Sequence, residues 1–235
     1  MAEEKIIAKV FRYDPSVDAE PTYKTYEVPW KELITGLEVL VYINENYEAI
    51  EFDSCCRSSL CGRCSMMING TPGLACWTAL EPGEVTFEPL RGFPVIRDLV
   101  TDHSKVMVKM VDAGLAVETN EEITKLPNIP YDMWVNTFEP LNLCKECMCC
   151  YAACPIIYEK KDFESFIGPA ALVQIGMRFF DPKDKSDRAA QAAFNGLFQC
   201  SLCGDCSEVC PAYIDHVSII KAMMEAATEA GLEPA

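Results

Sequence analysis

Residues 144–155 read Cys144-Lys145-Glu146-Cys147-Met148-Cys149-Cys150-Tyr151-Ala152-Ala153-Cys154-Pro155. Residues 200–211 read Cys200-Ser201-Leu202-Cys203-Gly204-Asp205-Cys206-Ser207-Glu208-Val209-Cys210-Pro211. Taking Cys144, Cys147, Cys150 and Cys154 from the first stretch, both are C-x₂-C-x₂-C-x₃-C-P. Three thiolates this close cap three corners of one iron–sulfur cube, and the fourth reaches away to ligate the other cluster of a pair. The proline suits the first turn of a helix opening there. The spacing therefore assigns Cys144, Cys147, Cys150 and Cys210 to one cubane, and Cys154, Cys200 and Cys206 to the other, with Cys203 a candidate fourth ligand. Cys149 falls out of register and reads as spare. The likeness of the two runs hints at an internal repeat.

Upstream lies a third dense group, Cys55-Cys56-Arg57-Ser58-Ser59-Leu60-Cys61-Gly62-Arg63-Cys64, with Cys76 beyond it. Taking Cys56 first gives C-x₄-C-x₂-C…C, the plant-type ferredoxin spacing for a [2Fe–2S] cluster. Cys55 would break the four-residue gap and reads as a bystander. Gly62 can adopt backbone angles that crowd a sulfide. A four-thiolate zinc site is the alternative, but such sites pair two C-x₂-C units and only one is present here. Arg57 and Arg63 flank the group, either to offset its anionic charge or as ordinary solvated arginines. His103 and His216, the only histidines, sit at no ligand spacing to any group, and a capping or surface role is expected for His216.

The rest of the sequence sets limits. The chain has 235 residues, a net charge of −16 and 14 cysteines, and half of it is apolar. Thiols grouped this densely are read as metal ligands before disulfides. The acidic balance disfavours nucleic acid, whose phosphates repel it, and favours a protein partner with basic patches. No apolar stretch is long enough to span a bilayer, and the first fifteen residues, MAEEKIIAKVFRYDP, lack the apolar core of a signal peptide.

Residues 1–103 read as β-rich. KIIAKVFRY and TYKTYEV alternate like strands, KELITGLEVLVYINEN suggests a short helix or turn leading to a strand, and GEVTFEPL is another strand. SMMING-TPG-LACWTAL reads as a hairpin turning through residues 69–73. From 104 to 235 the chain reads as helical. DLVTDHSKVMVKMVDAG has helical spacing and TNEEITKLPNIPYDMWVN is a polar connection. FIGPAALVQIGMRFF, SDRAAQAAFNGLFQC with Ser186 as its cap, and DHVSIIKAMMEAATEAG follow as helices.

FRYDP, DSCCRSSLCGRCSMMING, FPVIRDLV, CKECMCCYAACP, FIGPAALVQ and CSEVCP stand in this order along nearly the whole chain. In these segments the chain resembles the iron–sulfur subunit of the succinate dehydrogenase and fumarate reductase family. The resemblance implies an α+β protein: an N-terminal β-grasp plant-type [2Fe–2S] ferredoxin domain, then a C-terminal all-helical bacterial-ferredoxin-like domain. It implies a [2Fe–2S] cluster on Cys56, Cys61, Cys64 and Cys76, a [4Fe–4S] cluster on Cys144, Cys147, Cys150 and Cys210, and a [3Fe–4S] cluster on Cys154, Cys200 and Cys206. That family usually has a non-cysteine residue where this chain has Cys203. If Cys203 ligates, a second [4Fe–4S] cluster replaces the three-iron one; the family default is retained as the expectation. The implied partners are an FAD-containing flavoprotein and a quinone-binding membrane anchor, with or without haem, so that the chain is a peripheral subunit at the cytoplasmic face of the membrane. It would pass electrons and perform no substrate chemistry. Fumarate reduction by quinol is the expected direction, because the extra cysteines Cys55, Cys149 and Cys203 suit life without oxygen. Succinate oxidation, or a soluble thiol-linked fumarate reductase, are the alternatives.

Overall fold

The computed structural model describes residues 4–119, 130–160 and 164–232. The chain forms two compact units, one of Met1–His103 with Lys145–Ala153, the other of Ser104–Cys144 with Cys154–Ala235. The sequence places 145–153 in the second domain; in the structure this stretch belongs with the first unit.

In the first unit, strands β1 (Lys5–Arg12), β2 (Thr22–Pro29), β3 (Ser65–Ile68), β4 (Thr71–Leu74) and β5 (Gly83–Glu88) form one sheet in the order β2-β1-β5-β3-β4. β1 runs parallel to β5 and the other neighbours are antiparallel. The alternation in β1 sends Ile6, Ala8 and Val10 fully inside, as a period of two requires of a half-buried strand. β3 and β4 turn through Asn69 and Gly70, both left-handed at φ 50° and 75°, the two-residue turn whose twist matches the strands. The hairpin is therefore tighter than the sequence suggested: Thr71, Pro72 and Gly73 belong to β4, and Pro72 is tolerated because β4 is an edge strand.

The stretch read as a short helix or turn leading to a strand is helix α1 (Gly36–Asn46) and holds no strand; its Leu37, Leu40 and Ile43 are buried at helical spacing. Gly36 opens it against the sheet, where a Cβ would stand 3.1 Å from the Phe87 ring. Thr35 Oγ1 accepts the Glu38 amide at 3.3 Å while the Glu38 carboxylate accepts the Thr35 amide at 2.9 Å, a reciprocal cap. Thr35→Ala is expected to cost about 1 kcal/mol. Chemical denaturation would read this as a lower midpoint with an unchanged slope; an unchanged midpoint would mean the cap is dispensable.

The segments FRYDP and FPVIRDLV meet in this unit. Asp98 is 3% exposed and left-handed at φ 44°. Its carboxylate accepts Arg12 Nε at 3.1 Å and the amides of Tyr13 and Glu51 at 3.0 and 3.1 Å. Arg12 also donates to Tyr26 Oη, Glu48 and the Ala49 carbonyl. A carboxylate so deep is tolerable because each oxygen has donors. A small ribbon of β6 (Val95–Arg97) and β7 (Val100–Thr101) surrounds this residue in sequence.

The second unit is helical. α2 (Ser104–Asp112) is followed by the continuous helical segments α3 (Tyr131–Met133), a π-helical Trp134–Phe138 and α4 (Glu139–Asn142). The polar connection expected over 119–136 lies partly outside the described residues, and from Tyr131 onward it is helical. α7 (Pro169–Phe179) is the central helix, with Pro169 in its first turn and Pro169–Gly176 buried. α8 (Arg188–Phe194) and α10 (His216–Glu229) pack against it, and at Gly176 there is no room for a Cβ against Ile219. Asp187, not Ser186, caps α8 by accepting the Ala190 amide at 2.9 Å, while the Ser186 amide donates to Asp184. α10 ends as its sequence predicts: Gly231 is left-handed at φ 79°, and the Leu232 amide reaches back to the Ala227 carbonyl.

Residues 113–118 have no secondary structure, so their carbonyls need partners. Arg188 Nη1 and Nη2 donate to the Gly114 and Ala116 carbonyls at 3.0 and 2.5 Å, and Arg178 Nε to that of Leu115 at 2.7 Å. Gln191 Nε2 takes the Ala113 carbonyl and the Lys185 amide that of Glu118. Arg188 is meanwhile paired with Asp184 at 2.8 Å, the two side chains being 2% and 1% exposed.

Candidate iron–sulfur centres

The first cysteine loop is wound so that its amides face sulfur. Arg57, Ser59 and Gly62 are left-handed at φ 57°, 57° and 69°. The Cys56 sulfur accepts the amides of Ser58, Leu60 and Cys61 at 3.4, 3.2 and 3.3 Å. The Ser59 amide donates to Cys76 sulfur at 3.3 Å, Cys56 to Cys61 at 3.5 Å, and Cys76 to Cys64 at 3.4 Å. The four cysteines expected for the [2Fe–2S] cluster thus fall into two hydrogen-bonded pairs, Cys56 with Cys61 and Cys64 with Cys76, and the Ser59 amide of the same loop reaches the second pair. The three amides pull the Cys56 thiol down to about 6, whereas burial pushes Cys64 up to about 12. Sulfurs surrounded by N–H dipoles are stabilised as thiolates, and a buried thiolate needs a positive centre beside it. This donor set fits an iron–sulfur cluster.

Cys55 is exposed, as expected of a bystander. Arg63 pairs at 3.0 Å with Asp53, both largely in solvent, which favours the plain surface reading of that arginine. Gly62 shows more than the sequence suggested. A Cβ there would stand 2.6 Å from the Lys145 carbonyl and 2.9 Å from Cys147 Cβ. The first loop therefore lies directly on the second cysteine run.

That run contributes Cys147, Cys149 and Cys150 to the first unit, with α5 (Cys149–Ala153) packed on β4. The Arg91 guanidinium donates to the Ala152 carbonyl at 3.3 Å, and the Phe93 and Tyr151 rings stand 6.2 Å apart. Cys149, read as spare, is fully buried and hydrogen-bonds Cys147, drawing that thiol down to about 7 against its burial. Cys144 and Cys210 belong to the second unit.

In the second unit, Cys154, Cys200, Cys203 and Cys206 line one pocket together with Phe166 and Ile220. Cys154 precedes α6 (Pro155–Tyr158), with Pro155 in the first turn as predicted. Cys210-Pro211 opens a turn and not a helix: the Tyr213 amide closes onto the Cys210 carbonyl at 3.0 Å. Burial is the main push on the thiols of Cys154, Cys200 and Cys206, all raised, Cys206 to about 12, and the Cys203 thiol adds to each. Three thiols whose charged forms are this unfavourable alone suit a cationic iron core that offsets them. α9 (Asp205–Glu208) carries Cys206 inward.

The two C-x₂-C-x₂-C runs repeat in backbone as well as in sequence. Glu146 and Met148, either side of Cys147, are left-handed at φ 49° and 63°. Leu202 and Gly204, either side of Cys203, are left-handed at φ 56° and 94°. His216, expected at the surface or as a cap, is buried at the start of α10, with Nδ1 2.9 Å from the Ile214 carbonyl. Burial holds its imidazole below the usual range.

Residues 7–108 match the model of a 2Fe–2S iron–sulfur cluster binding domain and residues 140–214 that of a 4Fe–4S dicluster domain. The chain is 36% identical to the fumarate reductase iron–sulfur subunit of Mycobacterium tuberculosis over 93% of this chain and 91% of that one. It is 34% identical to the Escherichia coli fumarate reductase iron–sulfur subunit over 94% and 93%. With a subunit of the CoM/CoB fumarate reductase of Methanothermobacter marburgensis it shares 36% identity over 93% of this chain, which spans 44% of that relative. Among solved structures it superposes on a chain of the Mycobacterium smegmatis Sdh1 complex in the apo form with a TM-score of 0.87, at 27% identity and 99% coverage of both. The α+β fold and the cluster domains agree with these relatives along the whole chain, which belongs to the iron–sulfur subunit family of fumarate reductases and succinate dehydrogenases.

Proposed function

We propose that the chain relays electrons between a quinone-binding membrane anchor and an FAD flavoprotein, in the direction of fumarate reduction, and performs no substrate chemistry itself. In this reading Cys56, Cys61, Cys64 and Cys76 hold the [2Fe–2S] cluster, and Cys144, Cys147, Cys150 and Cys210 hold a [4Fe–4S] cluster. Cys154, Cys200 and Cys206 hold the third. The observation that carries the relay is the seat of Gly62 on the backbone of Lys145 and Cys147. A ligand loop of the first cluster touches a ligand of the second, giving electrons a short path through packed protein. The subunit then sits peripherally at the cytoplasmic face, held by its anchor. Among the described residues no helix is long and apolar enough to cross a membrane.

The clusters' potentials would be set by amide-to-sulfur bonds, burial and charge. The amides on Cys56 raise the first cluster's potential by favouring its more anionic reduced form.

A second reading, electron delivery from a thiol substrate to fumarate, is supported by the Methanothermobacter marburgensis relative. One experiment separates the two. The anaerobically purified complex is reduced with a quinol or with a dithiol, followed by EPR, and then given fumarate. Reduction by quinol and reoxidation by fumarate are expected. Reduction by the dithiol alone would replace the quinol reading with the thiol-linked one. Clusters that fumarate fails to reoxidise would overturn the relay toward fumarate.

A further inference from the structure

We propose that Cys203 ligates the third cluster, making it a second [4Fe–4S] cube in place of the three-iron cluster usual in the family. The proposal rests on the reading that Cys154, Cys200 and Cys206 hold a cluster, and it adds the fourth ligand.

Three observations carry it. Cys203 lines the same pocket as the other three thiols. It is exposed, so its thiol does not fill a gap in the core. Its backbone also repeats that of Cys147, the middle ligand of the other run. Each of the two is flanked on both sides by left-handed residues.

That conformation is costly for Leu202. A side chain in the left-handed region is disfavoured, and such strain persists where the surroundings require it. Here it bends the chain around Cys203, as Glu146 and Met148 bend it around Cys147. A run with only the outer two cysteines, plus Cys154 from the other run, supplies three thiolates and leaves one corner of the cube without a protein ligand. Cys203 fills that corner. Its thiol gives its proton to solvent and its sulfur bonds the fourth iron. The extra thiolate adds negative charge beside the cluster and lowers its reduction potential relative to a three-iron centre. The third cluster is then a stronger reductant.

The test compares the full chain with Cys203→Ala and, as control, Cys55→Ala, all purified without oxygen. Iron is counted, and EPR spectra are taken oxidised and then reduced with dithionite. Expected for the unaltered chain and Cys55→Ala is no three-iron signal when oxidised, with two interacting cubane signals on reduction. Cys203→Ala is expected to lose one iron per chain and to gain the oxidised three-iron signal, while the [2Fe–2S] signal is unchanged. A three-iron signal at full occupancy in the unaltered chain, with the same iron count in Cys203→Ala, would overturn the Cys203 assignment and leave the relay standing. Absence of all cluster signals in the unaltered chain would overturn both.

Discussion

Gly62→Ala is expected to destabilise the first unit by about 2–5 kcal/mol, the sum of about 1–2 for a left-handed side chain and about 1–3 for overpacking. The position has φ 69° and its added Cβ would meet the Lys145 carbonyl at 2.6 Å. That neighbour is backbone, which cannot swing aside as the end of a long side chain can. Relief requires the first cysteine loop to lift from the second run, so the variant should also slow electron passage between the first two clusters. Gly70→Ala is the matched control: φ is 75° there, but nothing lies within 4 Å of the added Cβ. It should show only the conformational part, about 1–2 kcal/mol. Thermal unfolding of both variants reads the difference, and equal midpoints would mean that the close approach at Gly62 does not constrain the loop.

Arg188→Ala carries the second large expectation, a loss of about 3–5 kcal/mol from the second unit, the usual cost of removing one member of a buried ion pair. The variant leaves the Asp184 carboxylate buried without its guanidinium, and orphans the carbonyls of Gly114 and Ala116. Replacing both partners by apolar residues should cost less than the single change, because no lone charge remains. A pH dependence follows from the same pair. Burial pushes the Asp184 carboxyl up, but Arg188 and the Ser186 amide outweigh it and hold the group below its ordinary value. The unfolded chain therefore takes up this proton first as pH falls. The pair's contribution is complete above the unfolded carboxyl pKa of about 3.9, and it is lost as pH falls through the folded value. Denaturation curves in acid and at neutral pH should show the gap between the unaltered chain and Arg188→Ala narrowing in acid; a gap independent of pH would mean that the carboxylate's charge is not what Arg188 satisfies.

The cysteine groups were legible because cluster geometry imposes short, local spacings that survive in the sequence. The Asn69-Gly70 hairpin was legible for a similar reason, since its turn demands two left-handed residues. α1 was misread where Val39-Leu40-Val41-Tyr42-Ile43 looks like a strand. The Thr35–Glu38 cap and the helical spacing of Leu37, Leu40 and Ile43 were the better signals, and tertiary burial followed them. The cap of α8 was off by one residue: Ser186 and Asp187 are both good capping residues and adjacent, and the helix starts at Arg188, which puts Asp187 in the capping position. His216 could not be placed: a histidine at a helix start reads the same whether it turns inward or outward.

Other features had no local trace. Arg188 reads as one more charged residue on a helix, and its carbonyl partners lie 74 and 72 residues away in a segment without periodicity. The left-handed Arg57, Ser59, Glu146, Met148 and Leu202 are residue types that rarely adopt such angles, so nothing in their chemistry announced the amide-lined sulfurs. The link between Arg12 and Asp98 was half visible, since both lie in segments noted in the sequence, but their pairing required the fold.

The first unit is assembled from two separate stretches, Met1–His103 and Lys145–Ala153, and this imposes a timetable on biosynthesis. When residue 103 leaves the ribosome, the sheet has all its strands, but β4 still lacks the helix that covers it and Gly62 still lacks the backbone that seats it. The missing piece follows some fifty residues later, a wait of about 3–10 s at ordinary rates of translation. Throughout that interval the first thiolate loop stands open on a nearly finished scaffold, accessible to whatever delivers iron and sulfide. Arrival of the second cysteine run seats Gly62 against Lys145 and Cys147, so the order of the chain completes the surroundings of the first loop last.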